Sequence, residues 1–319
     1  MQPRFIDKRE TDPRPNVMVV VTHGLGSTDL GRDDTPEIDA MAIDRLAGTL
    51  ELTADRQGAD EVVTALLTTR DERLLTERLT DVGYQVGAFG VWPEGRLGAP
   101  HEKGVSTFLG FTNADEVLGL GNLRIRQVVD LTTAEVGTNP TQYIPDLMWR
   151  DARSFVRLNA AAPTFALFAV PLPDGAPANP IELGAILRQS GDASLEDAFR
   201  TGNVDDEVIH RSLVRHLDRH FGRLREELID YRLTPYTIIV LVGDHDGAPI
   251  RIWGPEAYLA STTEAPTTVA ELQATLYAWI GLVDDDMESE ENGESEENGE
   301  SNGDESATDA APEPAESGS

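Results

Sequence analysis

Cysteine is absent from the 319 residues. That absence excludes a disulfide scaffold, a thiolate metal site and a cysteine nucleophile. Lysine is nearly absent as well: only Lys8 and Lys103 occur, so 24 of the 26 basic residues are arginine. Against these stand 57 Asp plus Glu, a formal charge of −31 and a pI near 4.4. Tight binding to nucleic acid or to an anionic membrane surface needs a basic footprint that displaces counterions, so neither is an expected partner. No apolar run approaches the ~20 residues that span a bilayer. The opening MQPRFIDKRETDPRPN carries charges and prolines where a signal peptide would carry an apolar core. The expectation is a soluble, cytoplasmic chain.

Abundant carboxylate with almost no lysine keeps a surface hydrated when salt screens charge interactions within a few ångströms, which points to a halophile's cytoplasm. The excess is uneven. From Asp284 onward the chain reads DDDMESEENGESEENGESNGDESATDAAPEPAESGS, with 15 acidic residues, no basic residue and the unit SEENGE repeated at Ser289 to Glu294 and Ser295 to Glu300. Such a segment has too little apolar surface to offset chain entropy, so 284–319 is expected to be a disordered acidic tail that aids solubility. Without its 15 carboxylates the −31 falls to −16 for residues 1–283.

Hydrophobic patterning divides the remainder into an N-terminal extension, 1–14, and one domain, 15–283. Four short apolar runs read as strands buried on both faces: Val17 to Val21, Val86 to Phe89, Phe165 to Val170 and Ile238 to Val242. Ile209, Leu213, Leu217, Phe221, Leu224 and Leu228 recur at spacings of three and four, the stripe of a long amphipathic helix. Ile38, Met41, Ala42 and Leu46 mark a second helix, and Leu74, Leu75, Arg78 and Leu79 a third. Strands alternating with helices predict an α/β three-layer sandwich with a central, mostly parallel sheet.

The order of segments resembles that of the sulfatases, in the alkaline phosphatase superfamily. Pro15 to Gly31 (PNVMVVVTHGLGSTDLG) is similar to the family's opening, Ala65 to Arg70 (ALLTTR) to the helix after its nucleophile, and Leu79 to Trp92 (LTDVGYQVGAFGVW) to its following strand. Pro163 to Pro180 resembles the strand leading to a Pro-His-x-Pro loop. Ser212 to Asp246 (SLVRHLDRHFGRLREELIDYRLTPYTIIVLVGDHD) resembles the helix and strand that deliver a Ser-Asp-His-Gly metal loop. Pro249 to Pro255 and Val269 to Leu282 match the segments beyond it. The resemblance is collinear over about residues 15–283 and implies a sulfatase/alkaline-phosphatase-like fold.

The chemistry that the resemblance implies is mostly replaced. The family needs a divalent cation on oxygen ligands, a nucleophile in a C/S-x-P-x-R motif, and basic groups for the sulfate oxygens and leaving group. Aligning Leu66-Leu67-Thr68 puts Ala59 at the nucleophile, Glu61 at the proline and Val63 at the activating arginine. The paired metal aspartates become His23 and Gly24, the lysine becomes Val91 and the following histidine Pro93. Pro171 to Pro177 (PLPDGAP) has no histidine, and Asp246 stands in place of the loop's glycine. Asp244 and His245 keep family positions.

What remains is His23, Asp244 and His245 at the carboxyl ends of neighbouring strands, where open α/β sheets place their sites. Two imidazoles and a carboxylate suit zinc or a similar ion, and they are the metal-site candidates, with Asp29 and Asp246 as the only spare carboxylates. They are set against the reading in which Asp244 and His245 are inherited loop residues satisfied by hydrogen bonds. His216 and His220 have i, i+4 spacing but lack the glutamate of HExxH, and they are expected at the surface or boundary of their helix. Gly24, Gly26, Gly31 and the GLGN at Gly119 to Asn122 do not extend into a nucleotide-binding signature. Thr64, Thr68 and Thr69 fall inside a helix rather than at its start. The expected function is that of a non-hydrolytic relative, a binding or interaction protein whose ligand is a sugar or an anionic ester. The alternative is a metal-dependent hydrolase of sulfate or phosphate esters built on His23, Asp244 and His245. A divalent metal belongs to the alternative and is not expected under the first reading.

The charge balance makes a direct prediction. Self-repulsion of the −16 body grows as screening lengthens from about 3 Å in molar salt to about 30 Å in dilute buffer. Thermal midpoints should therefore rise steadily from dilute buffer to molar potassium chloride, and equal midpoints would contradict the halophilic reading.

Overall fold

The computed structural model describes residues 13–31, 33–41, 46–52, 58–69, 73–111, 127–130, 144–171, 193–203, 205–245 and 247–282. The chain divides into two units, Met1–Leu282 and Val283–Ser319. The acidic tail, the extension up to residue 12, the GLGN segment and Asp246 lie outside the described residues. Among the described residues, no helix is long and apolar enough to cross a membrane.

The predicted apolar runs become the centre of an eight-stranded sheet. Its strands are β1 (Asn16–His23), β2 (Ala47–Thr49), β3 (Gln85–Val91), β4 (Thr107–Phe111), β5 (Gln127–Asp130), β6 (Thr164–Pro171), β7 (Thr237–Gly243) and β8 (Pro249–Trp253), in the order β2-β8-β7-β1-β6-β3-β4-β5. The pairs β7-β1, β1-β6, β6-β3 and β3-β4 are parallel, whereas β8, β2 and β5 add antiparallel edges. Val17 faces Ile238 and Val21 faces Val242, so the first and last predicted strands are neighbours. Asn16 fixes their starting register: its amide donates to Thr237 Oγ1 at 3.2 Å, and its carbonyl accepts the Thr164 N–H at 3.2 Å.

Alternation along each central strand feeds two separate cores. Val17, Val19, Val21, Phe165, Leu167, Ile238, Val240 and Val242 pack on one face with helices α2 (Ala59–Leu67), α3 (Leu75–Asp81) and α7 (Val269–Ile280). Met18, Val20, Ala166, Phe168, Ile239 and Leu241 pack on the other with α1 (Pro36–Met41), α4 (Ile144–Leu158) and α6 (Asp206–Asp230). A further helix, α5, spans Ala193–Thr201. Helices on both sides of a sheet make the predicted three layers.

The long stripe forms α6, which starts where the Asp205 carboxylate accepts the Val208 N–H at 2.9 Å. Several of its partners are paired through arginine. Buried Asp34 receives Arg211 Nε at 2.9 Å and also pairs with Arg215, and Glu37 takes Arg225 at 2.6 Å. Asp218 accepts the N–H groups of Glu37 (2.9 Å) and Ile38 (2.8 Å) at the start of α1. Burial pushes the Asp218 carboxyl up to about 6, although these two hydrogen bonds oppose the shift. Forked guanidinium groups hold a buried carboxylate in a way that an ammonium cannot.

One strand departs from strict alternation. Val86 and Ala88 lie in the first core and Phe89 in the second, yet Val91 returns to the first. The change of parity falls at Gly90, whose φ is 102°. A Cβ there would lie 1.8 Å from the Ala169 carbonyl oxygen. Gly90→Ala should therefore cost about 3 kcal/mol or more in chemical denaturation, from backbone strain and overpacking together, and a loss under about 1 kcal/mol would contradict this account of β3.

Candidate functional site

Because β1 and β7 are parallel neighbours, their carboxyl ends emerge side by side. His23 closes β1 and Asp244 follows β7 directly. The His23 Nδ1 lies 2.5 Å from Asp244 Oδ2, and the Gly24 N–H donates to Asp244 Oδ1 at 2.7 Å. Both oxygens of a buried carboxylate are thus engaged within the protein, and the pair holds the imidazole at the rim with part of its surface exposed. His245 follows with an exposed side chain, and its main-chain N–H donates to the Leu25 carbonyl at 3.2 Å. The strand rim therefore joins two of the three residues picked out by sequence.

The loop leaving β1 is closed by Asp29, whose Oδ2 accepts the Gly26 N–H at 2.8 Å. Its Oδ1 meets His210 Nε2 of α6 at 3.1 Å. Asp29 is thus occupied by its own loop and by a histidine for which the sequence offered no signal. A Cβ added at Gly247, beyond the second strand end, would lie 3.3 Å from Ser27 Oγ, so this loop leaves little room there for a side chain.

The positions matched to sulfatase chemistry are apolar and inside. Ala59 is the first residue of α2 and 2% exposed, Val63 one turn on is 0% exposed, and Val91 is 3% exposed. All three belong to the first core. Thr64 Oγ1 donates back to the Asp60 carbonyl at 2.6 Å, as helix threonines do, whereas Thr68 and Thr69 lie beyond the end of α2 and not inside the helix as expected.

A second constellation was misjudged from sequence. His216 and His220 are buried, not boundary residues, and both Nε2 atoms point at Asp146 Oδ1 from α6, at 2.6 and 2.7 Å. Their own Nε2 atoms are 3.3 Å apart. Among the described residues this is the one group of three ligating side chains within chelating distance. Burial opposes ionisation of Asp146, but hydrogen bonds from both imidazoles outweigh it and hold the carboxyl well below its usual range. Burial lowers His220 to about 4, with Asp146 acting in the opposite direction. The i, i+4 histidine spacing was visible in sequence. Asp146, 70 residues away from His216 on another helix, was not.

If Asp244 clamps the two strand ends, Asp244→Ala should remove the acceptor of the Gly24 N–H together with the His23–Asp244 contact and cost about 3 kcal/mol. Asp244→Asn, which can still accept from Gly24, should cost less than half as much. Equal losses in urea denaturation would contradict the clamp.

No family model matches the chain, and no curated protein matches it. Solved structures do. The PsFucS1 sulfatase from Pseudoalteromonas sp. is 15% identical, with a TM-score of 0.58 over 86% of this chain and 70% of that one. Ps i-CgsB, solved with k-i-k-neocarrahexaose, is 19% identical, with a TM-score of 0.58 over 86% and 74%. A protein solved with its substrate D-glucosamine-2-N,6-O-disulfate is 14% identical, with a TM-score of 0.56 over 86% and 78%. At such identities the likeness is one of backbone architecture: the chain has a sulfatase-like α/β fold.

Proposed function

We propose that this is a non-hydrolytic protein built on the sulfatase-like fold, a binding or interaction protein of a halophile's cytoplasm. The observation that carries the reading is the burial of Ala59, Val63 and Val91 at the positions matched to nucleophile, activating arginine and lysine. Those three groups act as one unit in such chemistry, so losing all of them leaves little to build on. Reinstalling an arginine at Val63 would place an unpaired charge in the first core, at a cost of several kcal/mol.

The ligand that fits best is a sugar or an anionic ester at the rim around His23. Two of the similar structures were solved with saccharide ligands. His23 and His210 are each held by a carboxylate, Asp244 and Asp29, and are partly exposed. Imidazoles oriented in this way donate well to hydroxyl or ester oxygens. A second reading, a hydrolase in which His23, Asp244 and His245 would hold a metal whose bound water attacks the ester, rests on His23 and Asp244 meeting at the strand ends.

Assays separate the two. With aryl sulfates and phosphate mono- and diesters in molar potassium chloride, supplemented with calcium, magnesium, manganese or zinc, no turnover is expected. Ala59→Ser should create none. Turnover that disappears in Asp244→Ala or His245→Ala would establish the metal hydrolase and overturn the non-hydrolytic reading.

A further inference from the structure

We propose that Asp146, His216 and His220 form a site for one divalent transition-metal ion of the zinc class, which cross-links α4 to α6. The site shares no residue with the strand rim and does not depend on the function proposed there.

Distances carry most of the case. Around a tetrahedral zinc with bonds of about 2.0–2.1 Å, neighbouring ligand atoms lie about 3.3 Å apart. The two Nε2 atoms already sit 3.3 Å apart. Asp146 Oδ1, at 2.6 and 2.7 Å from them, would have to draw back by about half an ångström, and Asp146 is the partly exposed member of the three. Trp149 stacks on the His220 ring, with centroids 5.3 Å apart and planes 4° from parallel, which fixes the imidazole plane in advance. Asp146 keeps part of its side chain exposed, and water would fill the fourth position on the ion.

Proton bookkeeping points the same way. An ionised carboxylate only accepts, so without an ion both imidazoles must present Nε2–H to a single oxygen. Arg219, a donor only, lies 3.3 Å from His216 Nδ1, in keeping with that tautomer. His220 Nδ1 is then a buried lone pair, and among the described residues it has no hydrogen-bond partner. One end of the network is crowded and the other unsatisfied. A dication takes both Nε2 lone pairs and the oxygen at once. Half-buried Arg219 must then turn outward, because His216 Nδ1 becomes a donor. Arg153, paired with Glu227 at 3.4 Å, adds positive charge close by and weakens binding of hard cations held by charge alone. Imidazole-preferring ions such as zinc, cobalt or nickel are favoured over calcium and magnesium.

The test uses the full chain in molar potassium chloride, stripped with a chelator and then given zinc or cobalt chloride. About one zinc per chain should survive gel filtration and raise the thermal midpoint. Cobalt should produce the visible absorption of a tetrahedral site and quench the part of the tryptophan emission that Trp149→Phe removes. Asp146→Asn, nearly isosteric, should lower zinc affinity by about 100-fold or more, beyond the loss of an outer-shell partner. Wild-type protein that retains no zinc, or zinc retention unchanged in Asp146→Asn, overturns the proposal. So does retention that depends on Asp244 instead. Should Asp146→Asn fail to fold, the cobalt quenching difference between wild type and Trp149→Phe decides, and no difference overturns it.

Discussion

Asp244 carries the constraint on which the rest of the rim depends. Parallel strands have no hairpin to hold their ends together, and β1 and β7 are 214 or more residues apart along the chain from one strand to the next. Asn16 bonds to both neighbours at the start of β1, and at the other end Asp244 accepts from Gly24 and meets His23. Between these two polar pins the strands are apolar apart from buried Thr22 and set the register of both cores. With one contact on each oxygen, this carboxylate ties the two strand ends together and orients the imidazole at the rim.

The same economy runs through the polar contacts of the helical layer. Asp34, Glu37 and Asp218 bind α1 and its preceding loop to α6 through arginine forks and main-chain N–H groups. The three buried acids among the described residues are met differently: Asp34 by two arginines, Asp218 by two main-chain N–H groups, and Asp244 by a main-chain N–H and an imidazole. Asp146 differs: it is met by two imidazoles at one oxygen. The acidic composition and this histidine pair thus answer the same physical demand by different means.

Much of the fold was legible because it rests on local pattern. Val17 to Val21, Phe165 to Val170 and Ile238 to Val242 are too apolar and too short for anything but doubly covered strands, and the Ile209 to Leu228 stripe has only a helical period. The break of alternation at Gly90 was not legible, since it arises from a close approach to Ala169 on a different strand. At the rim, the strand-end rule brought His23 to Asp244. It could not foresee that Gly24 and His23 would use both carboxylate oxygens, or that Asp29 would turn to His210. His216 and His220 were misplaced at the surface for a related reason: i, i+4 histidines flanking an apolar stripe look amphipathic until a second helix brings Asp146 and Trp149 over them.

The central claim is that the strand rim is a structural clamp without a metal hydrolytic centre, and that metal affinity resides in the helical layer. Anomalous diffraction at the zinc edge, from crystals of the full chain grown with zinc in high salt, tests it most directly. The account predicts one peak, bounded by Asp146, His216 and His220, with none beside His23, Asp244 and His245. A peak at the rim would contradict it.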